Sequence, residues 1–310
     1  MSQFASSIGM FSALRVLEID CIPEEELDTI LAVVGGIATL SALVLGGSFD
    51  EEWAAQRISA EGLNIALNGS RHRLRSLELQ HWIGDDDDGV AVNQLPALAH
   101  LGIERMWSCK RLLAALVASA ARLRSLSIGH DDLERSGSGA VDPEEPVQLD
   151  VTDARDAIVS VGAKLRSLRL RGESFATRCA GPDGSPSPLV DTVVGACPDL
   201  REISISWQCM VSAAALLSFP ALECLVVQPH RDDDYAELAQ TVAWTLALSE
   251  LAARPRFRRL HFLEATFAVE GISELLQRRR SPDWMPLEVT SGDEMNWHGW
   301  VGACDCATRA

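Results

Sequence analysis

The sequence predicts an α/β fold: a right-handed solenoid, horseshoe-shaped, with parallel strands on the concave face and helices on the convex face. Three observations lead there. A six-residue pattern, apolar at its first, fourth and sixth positions, recurs along the chain; Leu165-Arg166-Ser167-Leu168-Arg169-Leu170, Leu74-Arg75-Ser76-Leu77-Glu78-Leu79 and Leu123-Arg124-Ser125-Leu126-Ser127-Ile128 share a Leu-Arg-Ser-Leu opening. The end of each pattern alternates apolar and polar residues, the period of a strand with one buried face. Between patterns lie stretches with apolar residues at helical spacing. No single unit can bury its own apolar face, so the units must stack.

Ten segments fit the pattern, centred on Leu17, Leu43, Leu77, Leu101, Leu126, Leu168, Ile203, Leu225, Leu260 and Leu287, at spacings of 22 to 42 residues. Leu112, Leu113, Leu116 and Val117 share one helix face, as do Ala154, Ala157, Ile158 and Val161, and then Leu189, Val190, Val193 and Val194. Ser187-Pro188 supplies an N-cap and a first-turn proline for the third of these. Leu238, Val242 and Leu246 mark a further helix, and Ile272, Leu275 and Leu276 the last. A strand, a helix and a parallel strand connect right-handedly. Residues 1–290 are thus expected to form the solenoid, and 291–310 a tail.

Composition supports a core of many similar aliphatic layers: 47% of the 310 residues are hydrophobic but only 5% aromatic. Residues 29–49 carry no charge over 21 positions, enough to cross a bilayer. Gly35-Gly36, Gly46-Gly47 and the fit of Leu40-x-x-Leu43-x-Leu45 to the repeat assign them to the second unit instead. The N-terminus lacks the basic start and apolar run of a secretory signal. A cytoplasmic or nuclear protein with reduced thiols is therefore expected. Cys21, Cys109, Cys197, Cys209 and Cys224 fall beside or within the pattern, as small buried hydrophobes would.

The net charge of −17 argues against nucleic acid and anionic membrane as main partners. Its distribution is uneven. Residues 50–52, 85–88, 131–145 and 232–234 hold 16 acidic residues and one base, and each segment follows a strand. Of the 27 bases, 15 sit instead between a helix and the next strand, among them Arg73, Arg75, Arg122, Arg124, Lys164, Arg166, Arg201, Arg254 and Arg280. One acidic and one basic rim follow, the acids near helix N-termini and the bases near C-termini, where each complements the helix dipole. Docking of a basic partner on the acidic rim is the alternative. The long insertions at 130–150 and 171–188 read as tolerated loops or as a lid over the inner face.

No phosphate loop or nucleophile elbow appears, so neither catalytic residues nor a cofactor are assigned. Asp85 to Asp88 lack the spacing of a calcium loop, and His298 with Cys304 and Cys306 lacks zinc spacing, so no metal is assigned either. Positions alternating against the core define the inner face: Glu18, Glu78, Gln80, Glu104, Arg169, Arg171, Ser204, Ser206, Gln228, His261 and Glu288. Arg169 and Arg171, beside Ser204 and Ser206, form the expected recognition centre. Reversing both arginine charges should then abolish partner capture without altering stability.

The Leu-x-x-Leu-x-Leu units followed by helices resemble leucine-rich repeats of the ribonuclease-inhibitor-like class. Ala196-Cys197-Pro198-Asp199-Leu200 is similar to the helix-end junction of repeats in F-box proteins, and Leu275 to Arg280 to the closing repeats of fungal members. The resemblance implies a non-enzymatic protein-protein interaction module, the substrate-recognition arm of a ubiquitin ligase. A ribonuclease-inhibitor-like or GTPase-regulator-like protein that binds an enzyme is the alternative. The segment from Ile22 to Leu31 looks like the start of an F-box, but it lies between two repeat strands where one outer helix belongs. With the array starting close to Met1, an upstream F-box or cap fits the resemblance. Oligomeric state is left open.

Overall fold

The computed structural model describes residues 13–47, 56–80, 82–84, 91–104, 109–129, 151–171, 179–180, 186–187, 189–206, 213–228, 242–263 and 270–292. Ten strands form one open parallel sheet in strict chain order. They are β1 (Val16–Ile22), β2 (Ala42–Gly47), β3 (Ser76–Gln80), β4 (His100–Glu104) and β5 (Ser125–Gly129). The second half is β6 (Ser167–Arg171), β7 (Glu202–Ser206), β8 (Cys224–Gln228), β9 (Arg259–Leu263) and β10 (Glu288–Gly292). Leu17, Leu43, Leu77, Leu101, Leu126, Leu168, Ile203, Leu225 and Leu260 pair side by side in that order.

The last step differs from the expected register. Leu260 pairs with Val289, two residues beyond Leu287. Elsewhere the residue before the central leucine must donate its amide: Ser76 N, for example, donates to Ser41 O at 3.1 Å. With Leu287 at the centre that residue would be Pro286, which has no N–H. Sliding by two puts Glu288 there, and its amide donates to Arg258 O at 2.9 Å. β10 accordingly reaches Gly292, past the expected boundary at 290.

Helices fill most connections. They are α1 (Leu27–Gly35), α2 (Ala60–Leu67), α3 (Lys110–Ser119), α4 (Val151–Val161), α5 (Leu189–Val193), α6 (Ala213–Leu217), α7 (Val242–Ala252) and α8 (Glu270–Gln277). The face of α3 is the expected one, with Leu112, Leu113, Leu116 and Val117 buried, and so is that of α4, with Ala154, Ala157, Ile158 and Val161. These residues share one core cluster with the strand leucines, in which a fully buried Leu, Ile or Val is worth about 1.5–3 kcal/mol. The helices therefore cover the leucine-bearing face of the sheet. Between β1 and β2 lie one 3-10 turn (Glu24–Glu26) and α1, with Asp28 in its first turn, which is the single repeat helix expected there.

Three connections depart from expectation. α7 turns a different face inward: Leu246 is exposed, while Ala247, Leu248, Leu251 and Ala252 are buried. Residues 91–99, between β3 and β4, hold turns where a helix was expected, and Val92, Leu95 and Leu98 fill the layer. Asn64 of α2 anchors that segment, donating to Ala91 O at 2.9 Å and accepting from Asn93 N at 2.7 Å. Before α5, Pro186–Ser187 pairs antiparallel with Cys179–Ala180, and Pro188 lies outside the described residues. A short parallel pair, Gln56–Ile58 with Trp82–Gly84, makes a further two-stranded sheet, and the buried Trp82 indole donates to Leu45 O at 2.9 Å.

Of the uncharged stretch 29–49, residues 29–47 are divided among α1, a turn and β2. Among the described residues no helix is long and apolar enough to cross a membrane. Cys109, Cys197 and Cys224 are buried and in no disulfide. Burial pushes the Cys197 thiol up to about 11. At pH ~8 this leaves it with roughly a hundredth or less of the thiolate of an ordinary cysteine. In the folded protein Cys197 should thus react with iodoacetamide at least about a hundredfold more slowly than after denaturation; peptide mass mapping reads this out, and equal rates would refute it.

Candidate functional site

The alternate positions of the strands lie on the face away from the helices. Its middle row runs, in register, Glu18, Val44, Glu78, Gly102, Ser127, Arg169, Ser204, Val226, His261 and Thr290. A second row places Gln80, Glu104, Gly129 and Arg171 on adjacent strands. Ser206 pairs with Gln228. Of Arg171, Ser206 and Gln228 only the backbone position is described.

Glu78, Gln80, Glu104 and Arg169 thus come together on β3 to β6. Gln80 Nε2 donates to Glu78 Oε1. Arg169 Nη1 lies 3.9 Å from Glu104 Oε1, with the two side chains 6% and 18% exposed. One glycine in each row, Gly102 on β4 and Gly129 on β5, makes the contact reachable. A Cβ at Gly102 would stand 2.9 Å from Glu78 Cγ, and one at Gly129 3.2 Å from Glu104 Cγ, so both glutamates lie across a glycine. Burial pulls the Arg169 guanidinium below its ordinary value, opposed first by Glu104 and then by Glu78.

This corrects the picture of an open recognition centre. Arg169 is 5% exposed and Ser204 1%. An arginine so buried and so close to a carboxylate tethers three strands, and reversing its charge cannot leave stability unchanged. Gly102 and Gly129 are the residues that sequence reading missed. Their signal was available: each is a glycine at an alternating position next to a glutamate one strand away.

His261 is separate, on β9. It is 3% exposed, and Nδ1 lies 2.7 Å from Thr290 Oγ1. Its Nε2 is buried without a hydrogen-bond partner. Burial above all, and Arg259 next, lower its pKa, while Glu288 raises it. The folded protein therefore holds a neutral ring, whereas the unfolded chain takes up a proton near pH ~6.5. His261 contributes fully above that pH, and stability falls as the pH drops below it. The loss of melting temperature between pH ~7.5 and ~5.5 should be smaller in His261→Gln than in the native protein, and an identical loss would refute the assignment.

A different surface lies where the strands begin. The residues preceding successive strands form a backbone ladder: Arg15 O accepts from Ser41 and Ala42 N, Ser41 O from Arg75 and Ser76 N, Arg75 O from Ala99 and His100 N, and so on through Arg124, Arg166 and Arg201. This ladder borders a groove of about 780 Å³ lined by Arg15, Arg73, Arg75, Arg122, Arg124, Arg166 and Arg201, with Ser125, Ser167 and Glu202 also against it.

No protein-family model matches this chain, and no curated protein does. The four acidic segments, and the metal candidates Asp85 to Asp88 and His298 with Cys304 and Cys306, lie outside the described residues. Among the described residues no group of three His, Cys, Asp or Glu could hold a metal ion.

The basic residues of the rim divide into two kinds. Lys164 donates to Ala121 O at 3.2 Å, just past α3. Arg254 donates to Phe219 O at 2.8 Å and to Leu217 O at the end of α6. Arg280 donates to Ala252 O at 3.1 Å at the end of α7 and to Phe257 O at 2.7 Å. Each seals helix-end carbonyls of the preceding repeat, the role expected of cations near helix C-termini. The groove arginines make no such bonds.

Proposed function

We propose that the chain is a leucine-rich-repeat solenoid, wound right-handedly with its strand face concave, that acts as a non-enzymatic protein-binding module. One observation carries this reading: ten parallel strands add in chain order to a single sheet, and the described helices cover its leucine-bearing face. At ~4.8 Å per strand, that sheet presents a surface roughly 43 Å long. Such an extended surface suits a protein chain better than a small molecule. Substrate recognition for a ubiquitin ligase, in the cytoplasm or nucleus, is the favoured role. The arginine groove lends support to a second, an enzyme regulator that docks through that edge.

Affinity capture with the full chain as bait, read by quantitative mass spectrometry, tests the reading. Stoichiometric recovery of ubiquitin-ligase subunits with a further protein supports the adaptor role. A single stoichiometric enzyme moves the assignment to the regulator. Absence of any stoichiometric protein partner overturns the module itself.

A further inference from the structure

The arginine groove is unlike the rest of the molecule's charge. Among the described residues, the side chains of Arg15, Arg73, Arg75, Arg122, Arg124 and Arg166 make no hydrogen bond or ion pair. Several other basic residues are committed: Arg201 to Glu223 at 3.3 Å, Arg259 to Glu288 at 2.7 Å, and Lys164, Arg254 and Arg280 to backbone carbonyls. All six groove arginines are exposed or half-exposed. In a chain of net charge −17, six uncompensated guanidinium groups along one groove create a local field of the opposite sign.

Their geometry selects the shape of the anion. Arg15, Arg75, Arg124 and Arg166 stand on rungs of one hydrogen-bonded ladder, and Arg73 and Arg122 precede two of those rungs by two residues. The ladder from Arg15 to Arg201 crosses seven strands, about 29 Å at ~4.8 Å spacing. A lone phosphate or dicarboxylate would meet two or three of these groups. A linear anion meets them all. An extended peptide rising ~3.3 Å per residue covers the strip with about nine residues, and its carboxylates suit the planar fork of arginine. A nucleic-acid strand would continue its charge past the strip into the field of an acidic protein. The Ser167 hydroxyl beside the groove is buried and has no hydrogen-bond partner, so the contacts offered to an anion are those of the arginines. Glu202 and the Arg201–Glu223 pair lower the potential at one end, which centres the anion on Arg73 to Arg166.

We propose that this groove binds an extended acidic segment of a partner protein, about nine residues long. The inference rests on the protein-binding reading and names the chemistry of its partner. Fluorescence anisotropy of the full chain with a labelled peptide of about nine alternating Glu and Ser residues tests it. Saturable binding that weakens as salt rises is expected, with a loss of about tenfold or more in the Arg75→Glu, Arg124→Glu, Arg166→Glu triple variant. The Arg256→Glu, Arg278→Glu, Arg279→Glu variant, which alters exposed arginines elsewhere, should bind as the native protein does. If the first triple variant fails to fold by circular dichroism, the same three positions changed to Gln replace it.

No saturable binding at low salt overturns the proposal, as does an equal loss in both variants. Tighter binding of a single-stranded oligonucleotide of equal charge overturns it in favour of nucleic acid. Self-association abolished by the groove substitutions would make a second copy the occupant. Stoichiometric capture of a protein partner by the groove variant, undiminished, sinks the groove while leaving the protein-binding reading intact.

Discussion

Arg169→Glu is expected to cost about 3–5 kcal/mol of stability, read as a fall in the denaturant midpoint. The native guanidinium is almost wholly buried 3.9 Å from Glu104, and Glu78 contributes the next attraction. A glutamate in its place would gather three carboxylates above two glycines, with little water to screen them. Combining it with Glu104→Arg restores an opposite pair and should recover part of the loss. If the double variant is no more stable than the sum of the two single changes predicts, the pair is not coupled and the assignment fails.

Gly35→Val should be as damaging, for a steric reason. A Cβ at Gly35, the last residue of α1, would sit 2.1 Å from the carbonyl oxygen of Ile65 in α2. Gly69 meets the same junction from the other side: its Cβ would lie 2.4 Å from Gly35 O, to which its amide donates at 2.9 Å. Neither obstacle is a flexible side chain, so the two helix ends must separate, at a cost of about 3 kcal/mol or more. Gly195 is the control, because nothing lies within 4 Å of its would-be Cβ. Gly195→Ala should leave the melting temperature level or slightly raised; a comparable drop at both positions would refute the packing argument.

The repeat strands were legible because a leucine layer needs the same spacing each time, and side-by-side leucines at Leu43, Leu77 and Leu101 reflect that need. Register failed only where one proline removed an amide that the ladder requires, a veto that an apolar pattern does not record. α2 escaped notice although Ser59 caps it, its Oγ accepting from Gly62 N at 3.0 Å, and although Leu63, Ala66 and Leu67 form its buried face. The face of α7 misled because apolar residues nearly encircle the helix, so spacing does not choose a side. Site residues were harder. Alternation assigned Glu78, Glu104 and Arg169 to one face, which holds, but alternation carries no information about depth. The glycines beside them, across which Glu78 and Glu104 fold, bring Glu104 within reach of the arginine, and the apolar pattern does not record this. The rim charges illustrate the same limit: one composition rule grouped Lys164 and Arg254 with Arg75 and Arg124, and only contact geometry separates the two kinds.

The sealing of the ends of α3, α6 and α7 by the repeat that follows gives assembly a direction in time. The carbonyl of Leu217, at the end of α6, accepts from Arg254, 37 residues later. At ~5–20 residues per second on the ribosome, that carbonyl waits roughly 2–7 s for its donor. A growing chain thus always carries one unfinished edge, and it is the newest. Ribosome-arrested chains that expose residues up to 253, or up to 263, should differ in protease resistance across α6 and not across α1.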